Sequence, residues 1–395
     1  MNSRRNLFFR GLLSLFIVFF CSQLAFCDYS NDLFSFDYTT TPSASRICCN
    51  RSVASECVMT VFIHGTVGPK PAIGVVARWF KNMLQGKRSG NGISAYQEYI
   101  EQVKRNGIHR WQPINSLGLV KINLDKNLPR KDFGYIGQKT AQFYKKLLDP
   151  SEECVFYTFS WSGRLSHKHR VGAARDLYRA ILKEKEKLSR EFCAPIRVNL
   201  IAHSHGCNVV LNLDRIEKEL KKNLVIDRVV FFGGPIQSET EGCVNSKIFK
   251  KIYHLFSCGD HMQRLDFVST QDRASRRTFG SDKNNPVSLP KNLCQIEVEL
   301  GECHPFHYEL WLWGRKSFPY LWYRRRVPLH PMPLSVFTPE IVSVADSVNW
   351  DSLDNRTCKL KFDEKGSRFV MCDGEKSVFK HVNLQIMKQQ AYNVL

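Results

Sequence analysis

The sequence lacks several motifs that would mark a binding protein. It has no paired CxxC motif of the kind that holds structural zinc, and it has no glycine-rich phosphate loop. Helix-turn-helix, zinc-finger and aromatic RNA-binding motifs are missing too. Acidic residues are scarce, with 37 Asp+Glu against 57 Lys+Arg. Without such motifs, this basic balance favours contact with an anionic membrane or polymer over recognition of nucleic acid.

The composition is typical of a folded globular protein. The chain has 395 residues, of which 43% are hydrophobic and 12% aromatic. That is enough apolar side chain for a sizeable core, and it excludes the collagen-like and disordered classes. The length suits one large domain with additions, or two modest domains.

The first 27 residues resemble a secretory signal peptide. Basic residues come first, an apolar run follows, and small residues surround the expected cleavage point. The three parts are Arg4, Arg5 and Arg10, then Gly11–Phe20, then the residues around Cys27. We therefore expect export, to the periplasm, the medium or the cell surface. Alternatives are an uncleaved anchor, although residues 11–26 are slightly short of a full span, and a lipid-modified Cys27.

Cysteine usage agrees with export. The chain has 14 cysteines, which is many for a cytosolic protein, and oxidising compartments allow cysteines to pair. Cys358 and Cys372 flank a hairpin-like stretch whose turn lies near residues 364–366. We predict a disulfide between these two; the sequence leaves the other pairings open.

Short apolar or β-branched runs alternate with longer segments of helical period after Cys57. This alternation predicts an α/β fold, with a mostly parallel sheet that is covered by helices on both faces. The predicted strands are 58–65, 154–161, 197–204, 227–234, 251–258 and 293–300. The clearest helices are 137–148, 173–192 and 208–220.

The sequence divides into four parts. Residues 1–27 are the signal, 28–56 an exposed leader, 57–325 the main domain, and 326–395 a small C-terminal appendage with hairpin character. A Gly- and Lys-rich stretch at about 78–111 looks like a cap inserted in the main domain.

One strand runs directly into a tight turn that contains a serine. The turn reads Ala202-His203-Ser204-His205-Gly206 and leads into a helix. Small residues two before and two after a serine at such a junction are typical of a nucleophile elbow. Ala202 stands where glycine is more usual, and it is still small. The pattern therefore predicts that Ser204 is a nucleophile at the carboxyl end of the sheet.

An earlier strand ends in His64-Gly65-Thr66, upstream of Ser204. Gly65 would let the backbone bend, so that the Thr66 and His205 N–H groups form an oxyanion hole. The alternative is that His-Gly only makes a turn.

The remaining partners of a serine nucleophile follow later strands in the expected order. Asp260 comes just past a strand and can orient a histidine; Asp266 and Asp272 are alternatives. His304 and His307 both follow the last predicted strand of the main domain. We favour His307 as the base, because it begins a helix-like segment, and keep His304 as the alternative.

Together these residues resemble an α/β-hydrolase of the lipase/esterase type, over about residues 57–325. The strand with His-Gly, the Ser204 elbow, the FFGGP that follows the next strand and the order Ser…Asp…His all match. The resemblance implies an ester-cleaving serine hydrolase in which Ser204 attacks, His307 transfers the proton and Asp260 orients it. It implies no metal and no cofactor.

Two points stay open at the level of sequence. The aromatic segment 306–323, followed by Arg324, Arg325 and Arg326, suits a lipid–water interface, or else packs the last helix onto the sheet. The first reading favours a lipid or acyl ester as substrate. The alternative function is an inactive hydrolase fold whose basic surface binds anionic lipid or polymer.

Overall fold

The computed structural model describes most of the chain from Glu56 onward. The described residues are 56–66, 109–264, 270, 275–281, 289–314, 328–373 and 376–395. The predicted export signal, nearly all of the leader, residues 78–108 of the cap-like insertion, Asp266 and Asp272 lie outside them.

A ten-stranded mixed sheet forms the centre of the described fold. The strands are β1 (Cys57–Ile63), β2 (Gly118–Lys121), β3 (Glu153–Ser160), β4 (Ile196–His203), β5 (Arg228–Phe232), β6 (Ile252–Phe256), β7 (Leu293–Leu300), β8 (Thr357–Asp363), β9 (Arg368–Asp373) and β10 (Lys376–His381). Their order across the sheet is β10-β9-β8-β7-β6-β5-β4-β1-β3-β2. The strands from β8 to β3 are parallel, and β2, β9 and β10 pair antiparallel. The mostly parallel α/β class is confirmed.

The six runs predicted as strands all form strands, β1 and β3 to β7. They are nearly continuous in apolar residues because both faces of a parallel sheet are covered. Every residue of β1 is buried, for example. The short edge strand β2 was not predicted, since four residues, three of them half-buried and one exposed, carry too little pattern.

Helices connect the strands. They are α1 (Tyr135–Leu147), α2 (His167–Phe192), α3 (His205–Leu211), α4 (Leu213–Leu220), α5 (Ser238–Glu241), α6 (Thr338–Asp346) and α7 (Leu384–Tyr392). The helix predicted at 208–220 is divided at Asn212, whose side-chain amide donates to the Asn208 carbonyl at 2.7 Å. In the part of the chain that the structure describes, no helix is both long and apolar enough to cross a membrane.

Side chains of the central strands alternate between two cores, one on each face of the sheet. From β1, Val58 and Phe62 join the core that includes side chains of α1 and α6. Met59 and Val61 join the core that includes side chains of α2, α3 and α4. This alternation buries both faces of the strands that end at the candidate site.

The segment predicted as an appendage is built into the sheet. Ser55–Leu395 is one compact unit. Strand β8 pairs in parallel with β7, and β9 and β10 continue the sheet as antiparallel neighbours. The residues of β8 alternate between buried and exposed positions, and Leu360 and Phe362 belong to the same core as α1. The hairpin thus covers the edge of β7, which would otherwise offer unpaired backbone groups.

The disulfide predicted between Cys358 and Cys372 is not formed, for a reason of register. Leu360 of β8 lies opposite Met371 of β9, and both of these side chains point into the core. Cys358 shares that face, whereas Cys372 follows Met371 and therefore points to the other face. The Cys372 Sγ lies 3.7 Å from the Ser377 Oγ of β10. A hairpin pattern in sequence does not fix which face each cysteine takes.

We expect Leu360→Ala to lower the free energy of unfolding by about 2–4 kcal/mol, because it removes a fully buried side chain from the shared core. The neighbouring Lys361→Ala, at an exposed position, should change it by less than about 0.5 kcal/mol. Urea denaturation of both variants measures the difference. Equal stability of the two would contradict the packing of this segment against the core.

Candidate active site

The residues singled out in the sequence follow the carboxyl ends of adjacent parallel strands. Gly65 follows β1, Ser204 follows β4, Gly233 follows β5, Asp260 follows β6 and His307 follows β7. These strands are neighbours in the order β1-β4-β5-β6-β7. Because carboxyl ends of parallel strands meet at one edge, loops far apart in the sequence come together there.

Ser204 has a backbone conformation that residues other than glycine rarely adopt. Its φ is 53° and its ψ is −130°. Strain of this kind costs about 1–3 kcal/mol and persists only where the surroundings enforce it. The Ser204 N–H donates to the Phe232 carbonyl at 2.9 Å, and the Ser204 carbonyl accepts from Cys207 N–H at 3.0 Å. The turn is thus tied to β5 on one side and to the start of α3 on the other.

Two glycines allow the end of β1 to approach this turn. A Cβ on Gly65 would lie 2.5 Å from the Ser204 Cβ and 3.2 Å from its Oγ. A Cβ on Gly206 would lie 2.6 Å from the His64 carbonyl oxygen. Ala202 is fully buried in the core on the α2 side. The small residues seen in the sequence therefore stand where larger side chains would collide.

His64 holds the end of β1 against the end of β3. Its Nε2 accepts a hydrogen bond from the Trp161 main-chain N–H at 3.0 Å, and the Trp161 indole N–H donates to the His64 carbonyl at 2.8 Å. Its Nδ1 lies 2.7 Å from the Gly65 carbonyl, so Nδ1 carries the proton. This clamp fixes the backbone from which Gly65 and Thr66 extend.

Asp260 and His307 form a buried hydrogen-bonded pair. The distance from His307 Nδ1 to Asp260 Oδ2 is 2.7 Å, and the side chains are 8% and 0% exposed. The other carboxylate oxygen accepts from the Gln263 N–H at 3.3 Å. Arg277 donates from Nε to the Asp260 carbonyl at 3.1 Å and so fixes the loop. Such a carboxylate orients the imidazole and selects its tautomer.

Gly233 lies directly against this pair. Its φ is +60°, and a Cβ there would lie 2.8 Å from Asp260 Oδ2 and 3.1 Å from His307 Nδ1. It follows Phe232, whose carbonyl binds the Ser204 N–H. One short stretch of backbone therefore touches both the serine turn and the Asp260–His307 pair.

His304 is placed differently. Its side chain is exposed, and its backbone packs so closely on Gly259 that a Cβ on the glycine would overlap the His304 carbonyl. Of the two histidines that the sequence left open, only His307 contacts Asp260 in the described structure.

Some contributors carried no signal in the sequence. Gln263 and Arg277 act on Asp260 through hydrogen bonds that involve main-chain atoms, and neither belongs to a motif. The Gln263 side chain also donates to the Gly234 carbonyl at 2.9 Å, which ties the loop after β6 to the loop after β5. Only the folded arrangement reveals such contacts.

The aromatic segment after β7 divides in the structure. Trp311 and Trp313 are fully buried, and their indole N–H groups donate to Gln112 and Thr140. Phe306 and Tyr308 are 43% and 37% exposed on either side of His307 in the chain. Packing thus accounts for the two tryptophans. Residues 315–323 and the basic cluster of Arg324, Arg325 and Arg326 lie outside the described residues.

A cavity of about 390 Å³ includes Thr60, Arg228 and Glu340, over the first halves of the parallel strands, away from the Ser204 edge. Within the described ranges, no three His, Cys, Asp or Glu side chains are grouped as metal ligands.

The chain matches no model of a known protein family, and no curated protein matches it.

We expect Gly233→Ala to lower the free energy of unfolding by about 2 kcal/mol, because it combines an unfavourable φ with a collision against the buried pair. Gly242→Ala is the matched control, since its φ is −62° and nothing lies within 4 Å of the added Cβ. The control should change stability by less than about 0.5 kcal/mol in urea denaturation. A Gly233→Ala protein as stable as the control would contradict this packing.

Proposed function

We propose that the protein is an exported serine hydrolase with an α/β-hydrolase fold, which cleaves carboxylic esters through Ser204, His307 and Asp260. The observation that carries the proposal is the buried hydrogen bond between His307 Nδ1 and Asp260 Oδ2 at the edge where the strained Ser204 turn lies. A histidine held in this way by a carboxylate keeps its proton on Nδ1. Its Nε2 is then left as the basic nitrogen.

The backbone contacts support a common site for the three residues. Ser204 bonds to Phe232 through its N–H, and the next residue, Gly233, packs on both Asp260 and His307. His203, which precedes Ser204, has its ring 4.5 Å from the His307 ring. The strained turn supports a nucleophile role, because it is the device by which a serine is presented at a strand–helix junction.

The reaction follows from these roles. The Ser204 oxygen attacks the ester carbonyl while His307 Nε2 takes the hydroxyl proton, and the carbonyl electrons move onto oxygen. The N–H groups of His205 and Thr66 would stabilise that oxyanion. Its collapse expels the alcohol, which receives the proton from His307. Water then attacks the acyl-enzyme with the same proton transfers, and the acid and Ser204 are released.

Exposed apolar side chains near the pair favour a lipid or acyl ester. Met262 follows Asp260 by two residues and is 48% exposed, and Phe306 and Tyr308 flank His307. Apolar groups beside a reactive centre suit an acyl chain or a lipid surface. The net charge of +20 favours peripheral contact with an anionic membrane. Export rests on the signal-like N-terminus of the sequence.

The nucleophile and the base are tested by labelling with a fluorophosphonate, which reacts with activated serines. We expect Ser204→Ala to abolish labelling and His307→Ala to slow it by about 10³-fold or more, because the base is lost. His304→Ala, at an exposed position without contact to Asp260, should label like the unaltered protein. A folded protein that stays unlabelled would favour the inactive, anionic-surface-binding alternative.

We expect Asp260→Asn to lower kcat on a short-chain chromogenic ester by about 10⁴-fold, because the amide no longer selects the reactive tautomer of His307. KM should change little, since Asp260 is buried behind the histidine. Asp354→Asn, an exposed change, is the control and should leave both constants unaltered. Equal kcat in the two variants would show that Asp260 does not orient the base.

A further inference from the structure

His203 directly precedes Ser204, and its side chain reaches the candidate base instead of solvent. It is 4% exposed. Its Nε2 lies 3.1 Å from the main-chain carbonyl oxygen of His307. A carbonyl only accepts hydrogen bonds, so His203 donates from Nε2.

The protonation state of His203 fits this contact. Burial, together with the neighbouring His307, lowers the pKa of His203 well below its ordinary value. The ring is therefore neutral near pH 7 and carries one N–H, which the hydrogen bond assigns to Nε2. Neutrality also suits the chemistry, because His307 becomes cationic when it takes the serine proton and a second positive charge nearby would oppose that step.

Ring contacts hold His203 itself in place. Its ring stacks on Trp311 with 5.4 Å between centroids and 4° between planes. Trp311 is fully buried and donates from its indole N–H to Gln112 Oε1 at 3.0 Å. The His203 ring then contacts the His307 ring at 4.5 Å with a 41° tilt. An anchored tryptophan thus supports His203, and His203 supports the candidate base.

We infer that His203 is a positioning residue for His307. Its Nε2–H fixes the main chain of the base, next to the imidazole whose Nδ1 bonds Asp260. Asp260 holds one ring nitrogen of His307, and His203 adds a hydrogen bond to the main chain of the same residue. The catalytic meaning of this contact rests on the proposed function, although the contact itself does not.

Two substitutions separate the hydrogen bond from the packing. His203→Phe keeps a ring beside Trp311 and loses the donor, whereas His203→Gln keeps an amide donor at a similar reach. We expect His203→Phe to lower kcat about 10-fold on a short-chain chromogenic ester with KM unchanged, because a misplaced base acts only in the transition state. His203→Gln should recover most of this loss. Equal losses in both, or none in either, would overturn the inference.

A second readout does not depend on activity. Proton NMR follows exchange of the His307 Nδ1–H with water in the full-length protein and in both variants. A fixed base should exchange slowly, His203→Phe should exchange about 10-fold faster, and His203→Gln should stay near the unaltered protein. Identical exchange in all three would overturn the positioning role even where every variant is folded.

His254 supplies the matched control. It is fully buried, and burial lowers its pKa to about 4, yet its ring contacts Phe231, Phe256 and Phe279 and not His307. His254→Phe should alter stability while leaving kcat and His307 exchange unchanged. A loss of kcat equal to that of His203→Phe would mean that any core histidine matters, which would overturn the inference.

The two proposals fail in different ways. If the unaltered protein takes no fluorophosphonate but His307 exchange responds to His203→Phe, the serine hydrolase proposal is wrong and the positioning contact stands. If the unaltered protein is labelled and the His203 variants match it in rate and exchange, the positioning inference is wrong and the hydrolase proposal stands.

Discussion

The candidate site depends on a buried hydrogen bond between His307 and Asp260. A carboxylate with no exposed surface is costly unless donors surround it. Here the imidazole Nδ1–H and the Gln263 N–H donate to the carboxylate. The Arg277 side chain donates to the main-chain carbonyl of Asp260 and so holds the loop. The same bond keeps the proton on Nδ1 and leaves Nε2 for the proposed role of base. One interaction therefore both stabilises the loop that carries Asp260 and selects the tautomer of the His307 imidazole.

Steric fit around the serine turn is the second requirement. The turn is strained at Ser204, and Gly65 and Gly206 remove the side chains that would block it. Gly233 leaves room for the Asp260–His307 pair. Each glycine contacts a different partner, so the loops after β1, β4, β5 and β6 cannot shift independently. Parallel pairing of the strands brings these loops to the same edge of the sheet. Because both faces of the sheet are covered by packed side chains, that pairing is held rigidly. The site is thus a consequence of packing at one edge of the sheet.

Much of the fold could be predicted from local pattern, because buried parallel strands read as continuous apolar runs. The tight turn at Ser204 could also be predicted, because it requires small residues at fixed positions beside the serine. The pairing of β8 with β7 could not be predicted, because no short-range pattern specifies which distant strand will be the partner. Cys358 and Cys372 illustrate the difference: a one-residue offset in register sends them to opposite faces. The roles of Gln263 and Arg277 were hidden, because they contact main-chain groups that any sequence would offer.

Trapping the acyl-enzyme would test directly whether Ser204 is the nucleophile. The purified full-length protein is mixed with a chromogenic short-chain ester, quenched in acid during the first turnover, digested and examined by mass spectrometry. One acyl group per protein is expected on the peptide that contains Ser204, and it should form as the first burst of chromogenic alcohol is released. An acyl group on another residue, or turnover with no acylated peptide, would contradict this assignment.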